Sequence, residues 1–125
     1  MRLLLDTQIV YWFFYKQEDL SKAAWKAMKE AETVLISAVS VWEIAIKVRI
    51  GKMTANPRQI VQLMDAAGFE ELPVYSKHTV IVGDLPLHHG DPFDRLLIAQ
   101  AMSEPLHLLT ADTQLRRYSD LVIEV

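Results

Sequence analysis

Four short apolar runs, three of them ended by a polar residue, constrain this chain more than any other feature. Arg2–Leu5 holds three leucines in succession and stops at Asp6-Thr7. Thr33–Ser37 and Leu106–Thr110 follow the same pattern, and Leu121–Val125 is a fourth short run rich in apolar residues. An unbroken apolar run of strand length, with no polar alternation, marks a strand covered on both faces. The stretches between these runs carry helix signals. Thr7 to Tyr15 is aromatic-rich and reads as a helix or turn. Ser21 is placed to cap a helix running to about Ala31, with Ala24, Trp25, Met28 and Ala31 on one face. Ser40-Val41-Trp42-Glu43 has capping-box spacing and opens a helix that Gly51 ends. Asn56-Pro57 begins a fourth helix, closing at Gly68. Glu71 to Tyr75 reads as a weak fifth strand, and Ser76 to Gly83 as a short helix. Asp91-Pro92 then opens a helix to Met102, with Asp91 as N-cap and Pro92 at N1. Asp112 is expected to cap a last short helix. Apolar strands alternating with helices predict an α/β fold of three layers, α/β/α, around a central, mainly parallel sheet of about five strands.

At 125 residues the chain is long enough for one domain, 1–125, with a proper core. The longest unbroken apolar run, Ile9 to Tyr15, falls far short of the roughly 18 residues of a membrane span. Asp6 interrupts the N-terminal apolar stretch too early for a signal peptide. With no cysteine, disulfides and thiolate chemistry are excluded, and a reducing cytoplasm is the expected setting. The net charge of −3 argues against a generic nucleic-acid binder, which is usually basic.

That acidity has a local origin. Asp6 follows the first strand, Glu43 falls in the first turn expected for the third helix, and Asp94 in the first turn after the Asp91 cap. Asp112 follows the strand ending at Thr110. In a parallel sheet every strand's C-terminal end and every following helix N-terminus lie along one edge, where ligands bind. Each acid alone has a plain structural role as a cap, a turn residue or a partner of the helix dipole. Gathered together, they repel by roughly 4 kcal/mol per pair at 4 Å and an effective dielectric near 20, whereas a helix N-terminus offsets only about 0.3–1 kcal/mol. Such a cluster calls for a cation. Oxygen donors without cysteine point to a hard ion, Mg²⁺ or Mn²⁺. With Asp6, Glu43, Asp91, Asp94 and Asp112 set aside, 11 acids face 13 Lys and Arg, so a phosphate-bearing substrate stays open.

Four segments together resemble a PIN domain, and most closely the VapC-type toxins of bacterial and archaeal toxin–antitoxin pairs. They are Leu3-Leu4-Leu5-Asp6-Thr7, Ser37-Ala38-Val39-Ser40-Val41-Trp42-Glu43-Ile44, the run from His89-Gly90-Asp91-Pro92-Phe93-Asp94-Arg95 to Ala101, and Leu109-Thr110-Ala111-Asp112. Their order and spacing extend the resemblance over essentially the whole chain. It implies a Mg²⁺- or Mn²⁺-dependent endoribonuclease with Asp6, Glu43 and Asp94 as core acids and Asp112 as a fourth. It further implies an RNA substrate, a cognate antitoxin and a homodimer. Asp91 either touches the metal or only caps its helix. Thr110 sits where a hydroxyl assists water or substrate.

Other polar residues have weaker claims. Arg95 either contacts phosphate or lies along a helix surface. His88 and His89 suggest zinc, but adjacent loop histidines rarely converge on one ion and no further histidine lies nearby in sequence. Lys47, Arg49 and Lys52, and Arg116 with Arg117, read as solvated faces or as RNA-backbone contacts. The aromatic residues of Tyr11–Tyr15, with Trp25 and Trp42, read mostly as core. Two other functions fit a similar pattern: a receiver-like phosphoacceptor domain, and a non-catalytic PIN-like module that binds RNA or protein.

Overall fold

A computed structural model describes all 125 residues. Its five strands are β1 (Arg2–Leu5), β2 (Thr33–Ser37), β3 (Phe69–Leu72), β4 (His107–Thr110) and β5 (Val122–Glu124). All pair in parallel, in the order β3-β2-β1-β4-β5. The helices are α1 (Thr7–Tyr15), α2 (Lys22–Glu30), α3 (Ala38–Arg49), α4 (Pro57–Met64), α5 (Ser76–Asp84) and α6 (Pro92–Ser103). Two 3₁₀ turns, Gln17–Asp19 and Leu115–Arg117, complete the elements. No helix is long and apolar enough to cross a membrane.

The three leucines of β1 explain the layering. Successive strand side chains point to opposite faces. Leu3 and Leu5 therefore enter one core with Ile9, Ile36, Ile44 and Ile60, while Leu4 enters the other with Leu35, Leu97, Ile98 and Leu108. Both faces are sealed, so no position on β1 can be polar after Arg2. Burying each such leucine stabilises the fold by roughly 1.5–3 kcal/mol.

Strand order places the site. From β1 the chain moves outward through β2 to β3, then returns to the opposite side of β1 as β4 and continues to β5. The direction reverses between β1 and β4, so their C-terminal ends splay around the crevice that α/β sheets use for ligands. The backbone N–H of Asp6 donates to Leu109 O at 3.0 Å and ties the two ends together.

Four local expectations are corrected. The third helix starts at Ala38, because Ser37 and not Ser40 caps it, its hydroxyl accepting from Val39 N at 3.1 Å. The Ser40 hydroxyl is buried and instead accepts from Thr7 Oγ1 at 3.0 Å, joining α1 to α3. Ser40 and Glu43 therefore form no capping box, and Glu43 lies in the second turn with its carboxylate free to face the crevice. The weak strand spans Phe69–Leu72, not Glu71 to Tyr75. Phe69 packs edge-on against Phe13 and Phe14, and Pro73, with no N–H for the ladder, ends the strand. Asp112 opens a turn, its Oδ1 accepting from Gln114 N at 2.9 Å, and the 3₁₀ segment beyond it has Gln114 as N-cap without a side-chain bond. Trp42, read mostly as core, is 58% exposed and packs at a steep angle on Phe93.

Candidate active site

Asp6 is the residue that β1 delivers to the crevice and also the N-cap of α1. Its Oδ1 accepts from Ile9 N at 2.9 Å, and Thr110 Oγ1 at the end of β4 donates to Oδ2. The side chain is 5% exposed. Burial drives its carboxyl up to about 7, against those two hydrogen bonds, and the negative charges of Asp94 and Glu43 push it the same way.

Asp91 caps α6, with Oδ1 accepting from Phe93 N at 2.8 Å and Asp94 N at 3.2 Å. That cap fixes the first helical turn, and with it the position of Asp94. Burial and then the charge of Asp91 push the Asp94 carboxyl up to about 6; His89 lowers it, while Glu43 adds to the rise. Glu43 comes from the second turn of α3 and is 4% exposed. Its Oε2 pairs with Lys47 Nζ at 2.9 Å, and its buried Oε1 has no hydrogen-bond partner.

Asp6, Glu43, Asp91, Asp94 and Asp112 thus line one cleft of about 490 Å³, together with Thr7, Gln8, Trp12, Lys47 and Ala111. Thr110 stands beneath it, donating to Asp6 and accepting from Asp112 N at 3.0 Å. Four segments distant in sequence converge there. Close carboxylates with raised pKa values and one orphaned buried oxygen form a donor set short of positive charge. An oxygen-ligated divalent ion fits that deficit. Asp6, Glu43 and Asp94 are the groups able to hold it, with Asp112 at the rim.

Arg95 lies outside the cleft. Its guanidinium donates to Val82 O (3.0 Å), Leu85 O (3.3 Å), Pro86 O (2.9 Å) and Tyr118 Oη (3.2 Å), clamping the end of α5 and the following loop onto α6. Of the basic clusters, Lys47 lines the cleft, whereas Arg49, Lys52, Arg116 and Arg117 are exposed.

The sequence reading weighed His89 with His88 as zinc ligands and set both aside. The two histidines diverge: His88 packs on Tyr118, and His89 turns toward the acids. His89 Nε2 lies 2.9 Å from Asp94 Oδ2 and 3.9 Å from Asp112 Oδ2, and Nδ1 lies 3.2 Å from Gln114 Oε1. Partial burial lowers the His89 pKa, but the hydrogen bond and charge of Asp94 outweigh it, with Gln114 and Asp112 adding, so the net shift is upward. No local sequence signal encodes this approach: the His89 backbone N–H donates to Tyr118 Oη at 2.8 Å, a partner 29 residues away.

Comparison with known proteins places this architecture. A family model of the PIN domain matches residues 3–121. The chain belongs to the PIN domain family. Ribonuclease VapC22 of Mycobacterium tuberculosis (strain ATCC 25618 / H37Rv) is 28% identical to this PIN domain over 127 residues, covering 93% of the chain and 91% of that protein. Among solved structures, VapBC2 from Rickettsia felis bound to a promoter DNA fragment superposes with a TM-score of 0.71 at 19% identity, covering 100% of this chain and 98% of that one. A toxin–antitoxin complex from Klebsiella pneumoniae gives 0.67 at 17% identity, covering 98% and 99%. At those identities the structures establish a shared fold: the five-stranded parallel sheet between helical layers is the PIN-like fold expected from the sequence.

Proposed function

We propose that this PIN domain is a Mg²⁺- or Mn²⁺-dependent endoribonuclease and the toxin of a toxin–antitoxin pair, with a cognate antitoxin as its protein partner. The observation that carries the reading is the convergence of Asp6, Glu43 and Asp94 on one cleft in which Glu43 Oε1 is buried without a partner. The 28% identity to a ribonuclease across nearly the full length supports the substrate class. The toxin–antitoxin complexes among its structural neighbours are consistent with the proposed partner.

Asp6, Glu43 and Asp94 would hold the ion, and Asp112 would complete or adjoin its oxygen set. When bound, a divalent ion lowers the pKa of water and neutralises charge on a phosphorane-like transition state. The residues of the chain do the remainder. Thr110 and the Ile9 N–H hold the Asp6 carboxylate in one orientation. The Asp91 cap holds Asp94. Lys47, one helical turn beyond Glu43, is placed to meet a phosphate oxygen at the cleft. A carboxylate of the cluster takes the proton from the attacking water, and the products carry a 5′-phosphate and a 3′-hydroxyl.

The test is cleavage of a single-stranded RNA by the purified full chain. Chelation should abolish it, and Mg²⁺ or Mn²⁺ should restore it. Asp6→Asn and Asp94→Asn should each stay folded and lose activity. A folded Asp94→Asn protein with full metal-dependent turnover would contradict the reading.

A further inference from the structure

The position of His89 carries an inference beyond the oxygen site, resting on the reading of the cleft as a divalent-cation centre. Its Nε2 and one carboxylate oxygen each of Asp94 and Asp112 lie within 4.8 Å of one another. Donors bound cis to a six-coordinate ion at about 2.1 Å are separated by about 3.0 Å, and trans donors by about 4.2 Å. The 2.9 Å from His89 Nε2 to Asp94 Oδ2 is a cis spacing, and the 3.9 Å to Asp112 Oδ2 lies inside the trans limit.

Ring orientation points the same way. In the tautomer whose Nδ1–H donates to Gln114 Oε1 at 3.2 Å, Nε2 carries no proton, and its lone pair is available to an ion held with Asp94 and Asp112. A ligating histidine characteristically donates its other ring N–H to a fixed acceptor in this manner. Glu43 Oε1, buried in the same cleft and lacking any partner, is a separate sign that positive charge is missing from the pocket.

We propose that His89, Asp94 and Asp112 form a mixed nitrogen–oxygen cation site beside the Asp6–Glu43–Asp94 oxygen site, with Asp94 shared. An imidazole donor favours first-row transition ions, whereas Mg²⁺ prefers an all-oxygen set. The cleft therefore selects Mn²⁺ over Mg²⁺ at this position, and His89 is the origin of that selectivity.

The probe is Mn²⁺ bound to the full chain, read by pulsed electron paramagnetic resonance and by competition with Mg²⁺. In the wild-type protein the Mn²⁺ signal should carry ¹⁴N modulation from a directly bound imidazole, replaced by a ¹⁵N pattern when the histidines are ¹⁵N-labelled. His89→Ala should abolish the modulation, and the preference for Mn²⁺ over Mg²⁺ should fall by about 10–100-fold. The labelling experiment needs no variant, so a misfolded His89→Ala protein does not block the test. Bound Mn²⁺ without nitrogen modulation, or modulation that persists in folded His89→Ala, overturns the His89 site while leaving the oxygen site standing. A wild-type protein that binds no Mn²⁺ overturns both.

Discussion

Lys47 Nζ sits 2.9 Å from Glu43 Oε2, one turn further along α3, and is the ammonium group that meets a carboxylate in the acidic cleft. The other oxygen of Glu43 is buried and unpartnered. In the absence of a divalent ion, Lys47 therefore offsets part of the charge of a group that cannot reach water. Truncating one member of a buried pair costs several kcal/mol, but Lys47 is partly solvated, so the cost here is smaller. Lys47→Met should destabilise the metal-free protein by roughly 1–2 kcal/mol, and added Mg²⁺ should recover most of that loss. Urea melts with and without Mg²⁺ check this; an equal loss in both conditions would show that Lys47 does not stand in for a cation.

Asp6 sets stability against function. Its carboxylate is held in a site that favours the protonated form, which raises its pKa to about 7. Asp6→Asn removes the charge and keeps an Oδ1 acceptor for Ile9 N. The variant should melt at a higher temperature than wild type in metal-free buffer at pH 7.5, and should lose more than about 100-fold in RNA cleavage, the upper range for disturbing outer-shell partners of a metal. Calorimetry and a cleavage assay read the two effects. A lower melting temperature would mean that Asp6 is stabilising without its ion.

The same shifts fix a pH dependence. Asp6 and Asp94 have folded-state values of about 7 and about 6, both above the ordinary 3.8. The folded state therefore binds more protons than the unfolded state between about pH 4 and 7, and stability contributed by these groups declines as pH rises through that window. Metal-free protein should lose stability from pH 5 to 7.5, and saturating Mg²⁺ should flatten or reverse the slope by favouring the ionised carboxylates. Denaturation midpoints across that range test it. The stability difference between wild type and Asp6→Asn isolates the Asp6 contribution, and a difference that does not change between pH 5 and 7.5 would contradict the assigned shift.

Arg95 is a structural clamp. Its guanidinium satisfies three carbonyls at the end of α5 and in the loop beyond it. Arg95→Met should cost about 1–3 kcal/mol of stability, in keeping with lost charge-assisted hydrogen bonds. The salt dependence of RNA binding should stay the same, because no phosphate contact is removed. A shallower salt slope in the variant would place Arg95 on the substrate.

How far the sequence disclosed all this depended on whether the signal was local. Leu3-Leu4-Leu5 announces a strand sealed on both faces, and Asp91-Pro92 announces a helix start, because sterics and backbone hydrogen bonding within a few residues decide both. The Ser40–Glu43 spacing misled, since Ser37 was an equally good cap and the Ser40 hydroxyl found Thr7 across a helix interface. Strand β3 starts two residues and ends three residues before the expected run, because Phe69 gains aromatic contacts with Phe13 and Phe14, which no pattern within its own segment encodes. Convergence of Asp6, Glu43 and Asp94 was legible through sheet topology. The approach of His89 was not, because it depends on the path of a short loop. Nor was the clamp made by Arg95, whose acceptors are backbone carbonyls present at every position.

Anomalous diffraction from crystals grown with saturating Mn²⁺ measures the central claim most directly. The expected result is a peak in the cleft with carboxylate oxygens of Asp6 and Asp94 at about 2.0–2.3 Å, and with Glu43 bound directly or through one water. A cleft without a peak, in crystals shown to contain Mn²⁺, would contradict the account.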